Sequence, residues 1–431
     1  MLQAPPGTRD LFEPEIALWQ KIEQTVRQVM ALAAYREIRT PIFEPTELFA
    51  RGIGEATDIV GKEMYTFTDR GDRSLTLRPE GTAGVSRAVI ERKLLGGGGI
   101  LRLWYMGPMF RYERAQKGRQ RQFHQIGLEV LGCAAARADA EAIALAQQVL
   151  HQLGIINLIV RLNSVGTLED RHTYREALLA YFTPRQGELD PDSRDRLTRN
   201  PLRILDSKDP QTQAIAADAP KLLDYLSAES LTHFDQVRSH LTDLGVANEL
   251  DHTLVRGLDY YTRTAFEIQS SDLGAQSAVC GGGRYDRLLE QLGGSPTPAV
   301  GWAMGMERLV LLLESQQGEM PPAVSVYLVS RGGAAEAQAL VLAQSLRQHH
   351  LSTELDLSGA KFDKQLKRAS QSGAQLAVIL GDDEVSQGVA QIKHLSDGTQ
   401  VAVPLPEVVD HISNSVRQRA IAESDNLLTR Y

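Results

Sequence analysis

Two short segments in the second half of the chain carry side chains suited to binding a small polar ligand. Residues 254–261 have the sequence LVRGLDYY, and residues 279–286 have the sequence VCGGGRYD. They place arginine, carboxylate and tyrosine side chains among glycines, which let a ligand approach the backbone closely. A third segment, residues 109–130, groups cations around a Phe–Arg pair. Together the three segments predict a site for a triphosphate nucleotide and a small polar ligand.

The third segment and a later helix offer groups that suit the nucleotide. The rigid guanidinium fork of Arg111 can hold a phosphate. Glu113 shares a strand face with Arg111 and can accept a hydrogen bond from an exocyclic amine, while Phe123 can stack on a base. Arg308 opens a helix, where a cation is unfavourable for the helix dipole, so it indicates an anionic partner. The alternatives are a surface ion pair for Arg111 and Glu113 and a half-buried position for Phe123. For Arg308 the alternative is an exposed arginine whose stem packs on apolar neighbours.

A turn and a strand offer groups that suit the small polar ligand. Gly81 holds a turn that presents Glu80 and Thr82. Gln125 and Glu129 are four residues apart, so they share one face of a strand. Carboxylates in such places suit an ammonium group or a ring N–H. Three tyrosines add hydroxyl groups: Tyr260, Tyr261 and Tyr285. The alternative role for each is packing in the core with its hydroxyl group hydrogen-bonded.

The bulk composition limits the class of protein. The chain has 431 residues, and this length predicts two or three globular domains. Its net charge is −8, and it has two cysteines. An acidic protein does not coat DNA, although residues 111–124 carry five cations against one carboxylate, a local charge of +4. This basic segment is either a nucleic-acid contact or a solvated loop. No apolar run predicts a membrane span, and the first residues do not resemble a signal peptide.

The cysteine count and the absence of metal-binding motifs indicate the cellular compartment and the metal content. Two cysteines alone make neither a disulfide framework nor a zinc site, and neither H-E-x-x-H nor C-x-x-C occurs. We therefore predict a cytoplasmic protein that holds no zinc and contacts no membrane.

Hydrophobic periodicity predicts an α+β fold for the first 160 residues. Residues 13–34 predict an amphipathic helix, and prolines then impose extended structure to residue 45. Antiparallel pairing is predicted for residues 64–69 with 74–80, and for residues 101–113 with 121–132. Asp139 is predicted to cap a helix over residues 140–153.

The rest of the chain divides into three parts. Residues 169–243 predict a helical insertion. Strands resume at 248–269, and residues 299–314 predict a strand that runs into a helix. After a linker, residues 324–381 alternate strand and helix, as in a doubly wound α/β domain. We predict a catalytic domain with a mainly antiparallel sheet at 1–168 and 244–318, the insertion at 169–243, the α/β domain at 324–412 and an unassigned tail at 413–431.

These segments together resemble a class II aminoacyl-tRNA synthetase. AYREIRTPIF (34–43) is similar to the first motif of that class, FRYE with its basic loop to the second, and GWAMGMERL (301–309) to the third. LVRGLDYY and GGGRYD match two signatures of the histidyl-tRNA synthetase family. The resemblance covers essentially the whole chain.

The resemblance implies a role for each candidate residue. Arg111 would hold the ATP α-phosphate and the histidine carboxylate, and Arg256 would act in the activation step. Glu113 and Phe123 would bind adenine, and Arg308 would support the bent ATP. Glu80, Thr82 and Gln125 would bind the α-amino group of histidine. Glu129 and Tyr261 would bind the imidazole nitrogens. Gly81, Tyr260 and Tyr285 would complete the histidine pocket. The acceptor end of tRNA would meet Gln116, Lys117, Arg119 and Arg121.

The same resemblance implies ATP with Mg²⁺ as a substrate, histidine and its tRNA as partners, and a homodimer joined through the first motif. The α/β domain would bind the anticodon. A non-catalytic regulatory paralogue that pairs with ATP phosphoribosyltransferase in histidine biosynthesis is the main alternative, and it is expected to lack the α/β domain. Another class II synthetase is a more distant alternative, against which LVRGLDYY argues.

Overall fold

The structure is a computed structural model that describes residues 2–54, 57, 59–114, 116, 118–254, 258–276, 278–315 and 324–417. Arg256 and Lys117 therefore lie outside the described residues. The chain forms two compact units, Met1–Gln316 and Gln317–Tyr431. In the described part of the chain, no helix is long and apolar enough to cross a membrane.

The first unit contains eleven strands within its described residues: β1 (Arg36–Glu37), β2 (Phe43–Pro45), β3 (Thr66–Thr68), β4 (Ser74–Leu77), β5 (Leu101–Phe110), β6 (Gln122–Leu131), β7 (Leu158–Ser164), β8 (Asn248–Leu250), β9 (Thr262–Ser270), β10 (Ala278–Arg284) and β11 (Ala299–Gly305). Its α-helices are α1 (Glu15–Leu32), α2 (Thr46–Ile53), α3 (Thr82–Glu91), α4 (Ala136–Gln152), α5 (Leu168–Phe182), α6 (Pro191–Arg199), α7 (Pro210–Ala217), α8 (Ala228–Asp243), α9 (Leu288–Gln291) and α10 (Met306–Ser315).

An eight-stranded sheet forms the centre of this unit, in the order β1-β5-β6-β11-β10-β9-β7-β8. The β1–β5 and β7–β8 pairs are parallel, and the other five pairs are antiparallel. The predicted hairpin of β5 and β6 is confirmed, with Tyr105 opposite Gly127 and Met109 opposite Phe123. A smaller sheet of β2, β4 and β3 holds the other predicted strand pair.

The amphipathic pattern of α1 is confirmed, since its regularly spaced apolar residues are buried: Leu18, Trp19, Ile22, Val26, Val29 and Met30. The segment from residue 168 to 243 is helical as predicted, and its helices have side-chain caps. Thr167 and Asp170 form a capping box on α5, and Ser227 caps α8. This segment lies between β7 and β8 in the sequence, so it interrupts the sheet without adding a strand.

The prediction for Asp139 is wrong. Helix α4 begins at Ala136 with Ala135 at its N-cap, so Asp139 lies inside the helix and is fully buried. The sequence ARADAE offers an acid where a cap could stand, but this carboxylate binds Arg284, which is far away in the sequence. A tertiary ion pair has therefore overridden the local capping pattern.

The second unit holds a five-stranded sheet in the order β13-β12-β14-β15-β16. Its strands are β12 (Val326–Arg331), β13 (Thr353–Leu355), β14 (Leu376–Gly381), β15 (Val389–His394) and β16 (Gln400–Pro404). Its helices are α11 (Gly333–Gln348), α12 (Phe362–Gln371) and α13 (Asp382–Ser386), and residues 408–417 are also helical. The first three strands are parallel, as the α/β alternation predicts, whereas β15 and β16 add an antiparallel edge.

Candidate active site

A cavity of about 270 Å³ lies against the eight-stranded sheet. It gathers residues from distant parts of the first unit, including most of the predicted site: Glu80, Thr82, Arg111, Glu113, Arg119, Phe123, Gln125, Tyr260, Tyr261, Tyr285 and Arg308. Adjacent strands bring these segments together because β6, β11, β10 and β9 are neighbours in the sheet. The cavity is thus formed by residues that the sequence separates by more than half of the chain.

Arg111 is held at the end of the hairpin by three contacts. Its Nε donates to the Pro79 carbonyl oxygen at 2.9 Å, and its guanidinium carbon lies 5.2 Å from the ring centroid of Phe123. Its Nη1 lies 3.8 Å from Glu113 Oε1. These contacts orient the guanidinium while its Nη donors remain near the cavity, which is the arrangement needed to bind a phosphate or carboxylate group.

Two further arginines make this end of the cavity cationic. Arg119 Nη1 is paired with Glu113 Oε2 at 3.2 Å, and Arg308 Nη1 donates to the Ala278 carbonyl. Burial, and then the charge of Arg119, lowers the pKa of the Arg308 guanidinium. A polyanion would relieve this repulsion, so the wall suits a phosphate chain.

Glu80 organises the start of α3, where this helix lines the cavity. Its Oε2 accepts a hydrogen bond from the Thr82 amide at 2.7 Å, and its Oε1 accepts one from the Ala83 amide at 2.8 Å. Burial raises the pKa of Glu80 although these amides oppose the shift. Gly81 is required here because a Cβ at this position would lie 2.3 Å from the ring of Tyr105.

Glu129 lies in the wall behind the cavity and is almost completely buried. Thr82 Oγ1 donates to its Oε1 at 2.7 Å, and the Tyr285 hydroxyl donates to its Oε2. Burial raises the pKa of Glu129 to about 8. Directly opposite on β11 stands Gly301, which has no side chain to displace this carboxylate. Glu129 therefore fixes two groups that line the cavity, Thr82 and Tyr285.

Two buried polar atoms face the same region without a hydrogen-bond partner of good geometry among the described residues. They are the hydroxyl oxygen of Tyr105 and Oε1 of Gln125. Both side chains line the cavity. Because an orphaned buried polar atom is costly, such atoms indicate where a bound ligand supplies the partner. Tyr105 was not predicted, because in an alternating strand it resembles an ordinary core residue. The signal in the sequence was the pair of glycines, Gly81 and Gly127, that make room for its ring.

The predicted tyrosines form one wall. The rings of Tyr260 and Tyr261 have centroids 4.8 Å apart, and those of Tyr260 and Tyr285 are 5.7 Å apart. All three side chains are buried and line the cavity. Their packing leaves an amphipathic surface, which suits a ring that carries N–H groups.

The basic loop divides between the cavity and the surface. Arg119 lines the cavity. Gln116 is exposed, and its backbone forms an antiparallel bridge with the backbone of Arg119. Arg121 lies over the ring of Tyr112 at 4.1 Å and packs beneath Gly7. His124 lies 3.1 Å from Glu307 Oε1 through its Nδ1, and its ring packs edge-on against Trp19.

Across the described ranges, no cluster of three or more His, Cys, Asp or Glu side chains has the arrangement of a metal site.

The mainly antiparallel sheet, the arginine at the end of its hairpin and the second arginine on the helix after β11 define a class II aminoacyl-tRNA synthetase. A family model described as histidyl-tRNA synthetase matches residues 7–309, and one described as an anticodon binding domain matches residues 324–415. The chain belongs to the histidyl-tRNA synthetase family.

Individual relatives match along nearly the whole chain. A histidine–tRNA ligase from a Cyanothece species is 60% identical over 428 residues, covering 99% of this chain and 99% of that protein. One from Synechococcus elongatus is 64% identical over 408 residues, covering 95% and 94%. The crystal structure of apo histidyl-tRNA synthetase from S. aureus has a TM-score of 0.80 at 37% identity, covering 96% of this chain and 100% of that one.

Proposed function

We propose that this enzyme activates L-histidine with ATP and transfers it to the 3′ end of its tRNA, as a histidine–tRNA ligase. In the first step the histidine carboxylate attacks the α-phosphorus of ATP, forming histidyl-adenylate and releasing pyrophosphate. In the second step a terminal hydroxyl of the tRNA attacks the activated carbonyl and releases AMP. The regulatory alternative is not favoured, because the relatives that match the whole chain are named histidine–tRNA ligases.

The observation that carries this proposal is the polarity of the cavity. Arg111, Arg119 and Arg308 line it and suit a phosphate chain, and we call their part the phosphate end. Tyr105 and Gln125 also line it, with a hydroxyl and an Oε1 that lack a well-placed hydrogen-bond partner among the described residues, and we call their part the amino-acid or histidine end. A ligand that satisfies both ends carries a polyphosphate and a small polar group, as ATP and an amino acid together do.

We assign the amino-acid end to histidine. Glu80 and Gln125 offer acceptors for the α-amino group, and Thr82 is fixed beside them by its bond to Glu129. Tyr261 and Glu129 remain our candidates for the imidazole, and the burial of Glu129 supports a recognition that excludes water. A site built to hydrogen-bond a ring N–H rejects analogues without it by about 10⁴–10⁵, because buried polar groups are then left unpaired.

We assign the chemistry to positioning and electrostatics. Negative charge develops on the transferring phosphoryl group, and preplaced arginines stabilise it without a proton-transfer residue. The contacts of Arg111 to Pro79 and Phe123 support this role, since they fix its guanidinium beforehand. Arg256, outside the described residues, remains a sequence-based candidate for a second such arginine, and Phe123 and Glu113 remain candidates for adenine. Mg²⁺ would enter bound to ATP.

We also propose the assembly and the location. A homodimer joined near the first motif is supported by the exposed pair Phe43 and Phe67, which are 51% and 43% exposed with ring centroids 6.2 Å apart. A cytoplasmic location is supported by two buried free thiols, Cys133 and Cys280. The loop at Gln116–Arg121 would contact the tRNA acceptor end, residues 169–243 would form a separate insertion domain, and residues 324–412 would bind the anticodon.

The test is exchange of labelled pyrophosphate into ATP, measured separately with each of the twenty amino acids. We expect exchange with histidine alone. Exchange driven by a different amino acid would contradict the pocket assignment, and folded protein that shows no exchange with any of them would contradict the synthetase activity and restore the regulatory alternative.

A further inference from the structure

Arg284 is a residue of the GGGRYD segment to which the proposed chemistry gives no role, although it is completely buried. All five of its N–H donors have acceptors. Nη1 donates to the Cys133 carbonyl at 2.9 Å and to Asp286 Oδ1 at 3.1 Å, and Nη2 donates to the Ala135 carbonyl at 3.3 Å and to Asp139 Oδ2. Nε lies 3.2 Å from both Asp139 oxygens. An arginine saturated in this way binds no ligand and instead fixes the elements around it.

The elements that Arg284 fixes include the wall of the cavity. Tyr285 follows it directly and donates to Glu129, the carboxylate that also fixes Thr82. Asp286, bonded to Arg284, accepts from the Ala299 amide at 3.1 Å, and its own amide donates to Thr262 Oγ1 at 3.2 Å. The guanidinium thus ties the end of β10 to the first residues of β9 and β11, on either side of Tyr285.

The same network reaches the helical segment through α8. His233 on this helix lies 3.4 Å from Asp139 Oδ1, the partner of Arg284. Glu229, one turn earlier on the same face, pairs with Arg263. Arg263 stands two residues after Tyr261 and has φ of 48°, a backbone conformation rare for a non-glycine residue. Helix α8 therefore contacts β9 directly, through Arg263 just after Tyr261, and is linked to the end of β10, just before Tyr285, through Asp139 and Arg284.

We propose that Arg284 is a positioning residue for histidine binding, which sets Tyr285 and Glu129 from behind the cavity and links them to α8. This inference rests on the proposed function, since it concerns the amino-acid end of that site. The hydrogen bonds of Arg284 go to Asp139, Asp286 and two backbone carbonyls and to none of the cavity arginines, so we expect its effect at the histidine end. A purely architectural role would instead lower stability without separating the two substrates.

Arg284→Lys is the informative variant, because lysine keeps the charge beside Asp139 but cannot reproduce the five-donor fork. In the exchange assay with the full chain, we expect the KM for histidine to rise about tenfold, and the KM for ATP to change less than about twofold. Arg287→Lys is the matched control: it lies on the same segment but is exposed and pairs loosely with Glu290 at 3.5 Å. Its two KM values should stay at the wild-type level.

A double-mutant cycle with Tyr285→Phe tests the route of the effect. If Arg284 acts through Tyr285, Arg284→Lys should raise the histidine KM much less in the Tyr285→Phe background than in the wild type. Equal effects on both substrates, no effect in a folded protein, or full additivity with Tyr285→Phe would overturn the proposal.

Folding and function are controlled separately. Circular dichroism and thermal melting establish that each variant is folded. If Arg284→Lys is not folded, Asp286→Asn replaces it, because the Asp286 side chain is only partly buried and carries the same link to β9 and β11. The same selective rise in the histidine KM is expected, and its absence would count against the proposal. Failure of the wild type to exchange with histidine would instead refute the proposed function.

Discussion

Replacing Gly301 by alanine is the most direct perturbation of the histidine end of the cavity. Gly301 faces Glu129 across the β6–β11 pair. An added Cβ would lie 1.8 Å from Glu129 Oε2 and 2.4 Å from the Leu128 carbonyl oxygen. Real Cβ atoms do not approach other atoms so closely, so the carboxylate must leave its place or the two strands must separate.

The magnitude follows from what would be lost. Overpacking a buried site costs about 1–3 kcal/mol. Displacing the carboxyl group also breaks its bonds with Thr82 and Tyr285, and a typical hydrogen bond contributes about 0.5–1.5 kcal/mol. We therefore expect Gly301→Ala to destabilise the first unit by roughly 3 kcal/mol or more, and to raise the histidine KM at least about tenfold.

Thermal unfolding and histidine-dependent pyrophosphate exchange measure the two effects. Gly305→Ala is the stability control, because it lies on the same strand and its added Cβ would meet no atom within 4 Å. A Gly301→Ala protein with the wild-type Tm and histidine KM would refute the steric argument, and with it the view that Glu129 holds Thr82 and Tyr285 in place.

Two further predictions concern buried groups of the same wall. The pKa of Glu129 is raised to about 8, above its ordinary value of 4.5, so between these values the folded protein holds more protons than the unfolded chain, and its stability falls as the pH rises. Glu129→Gln should remove this pH dependence, which amounts to up to about 1.4 kcal/mol of unfolding free energy per pH unit. Urea unfolding at a series of pH values between about 5 and 8 measures it. Parallel plots of unfolding free energy against pH for the two proteins would contradict the assignment. Tyr105→Phe deletes a hydroxyl that has no good partner among the described residues, so stability should hold while the histidine KM rises several-fold; an unchanged KM would show that the hydroxyl does not meet the ligand.

Local patterns predicted most of the fold. The periodicity of α1, the β5–β6 hairpin and the strand-to-helix step at β11 and α10 all depend on neighbouring residues, and each is present. The antiparallel edge of β15 and β16 was missed, because the alternation recognised in the sequence ends at residue 381. Only the short helix α13 separates β14 from β15, which is too little chain for a parallel crossover. The Asp139 cap was wrong because the carboxylate satisfies Arg284 instead of a helix end.

The site could be predicted in its residue types but not in its connections. The motifs named the arginines and tyrosines that line the cavity, since their chemistry is visible in the sequence. The bond between Glu129 and Tyr285, and the position of Tyr105 between two glycines, are contacts across strands. Such contacts depend on register, which no local pattern specifies.

The strand order of the central sheet also has a consequence for synthesis. Strand β6 ends at Leu131, but its second neighbour in the sheet, β11, begins only at Ala299. At ribosomal rates of about 5–20 residues per second, roughly ten to thirty seconds separate the two. During that interval the nascent hairpin has an unpaired, largely apolar edge, the kind of surface that recruits other chains. The arrangement that joins distant residues into one cavity therefore leaves the growing polypeptide exposed until the last strand of the sheet arrives.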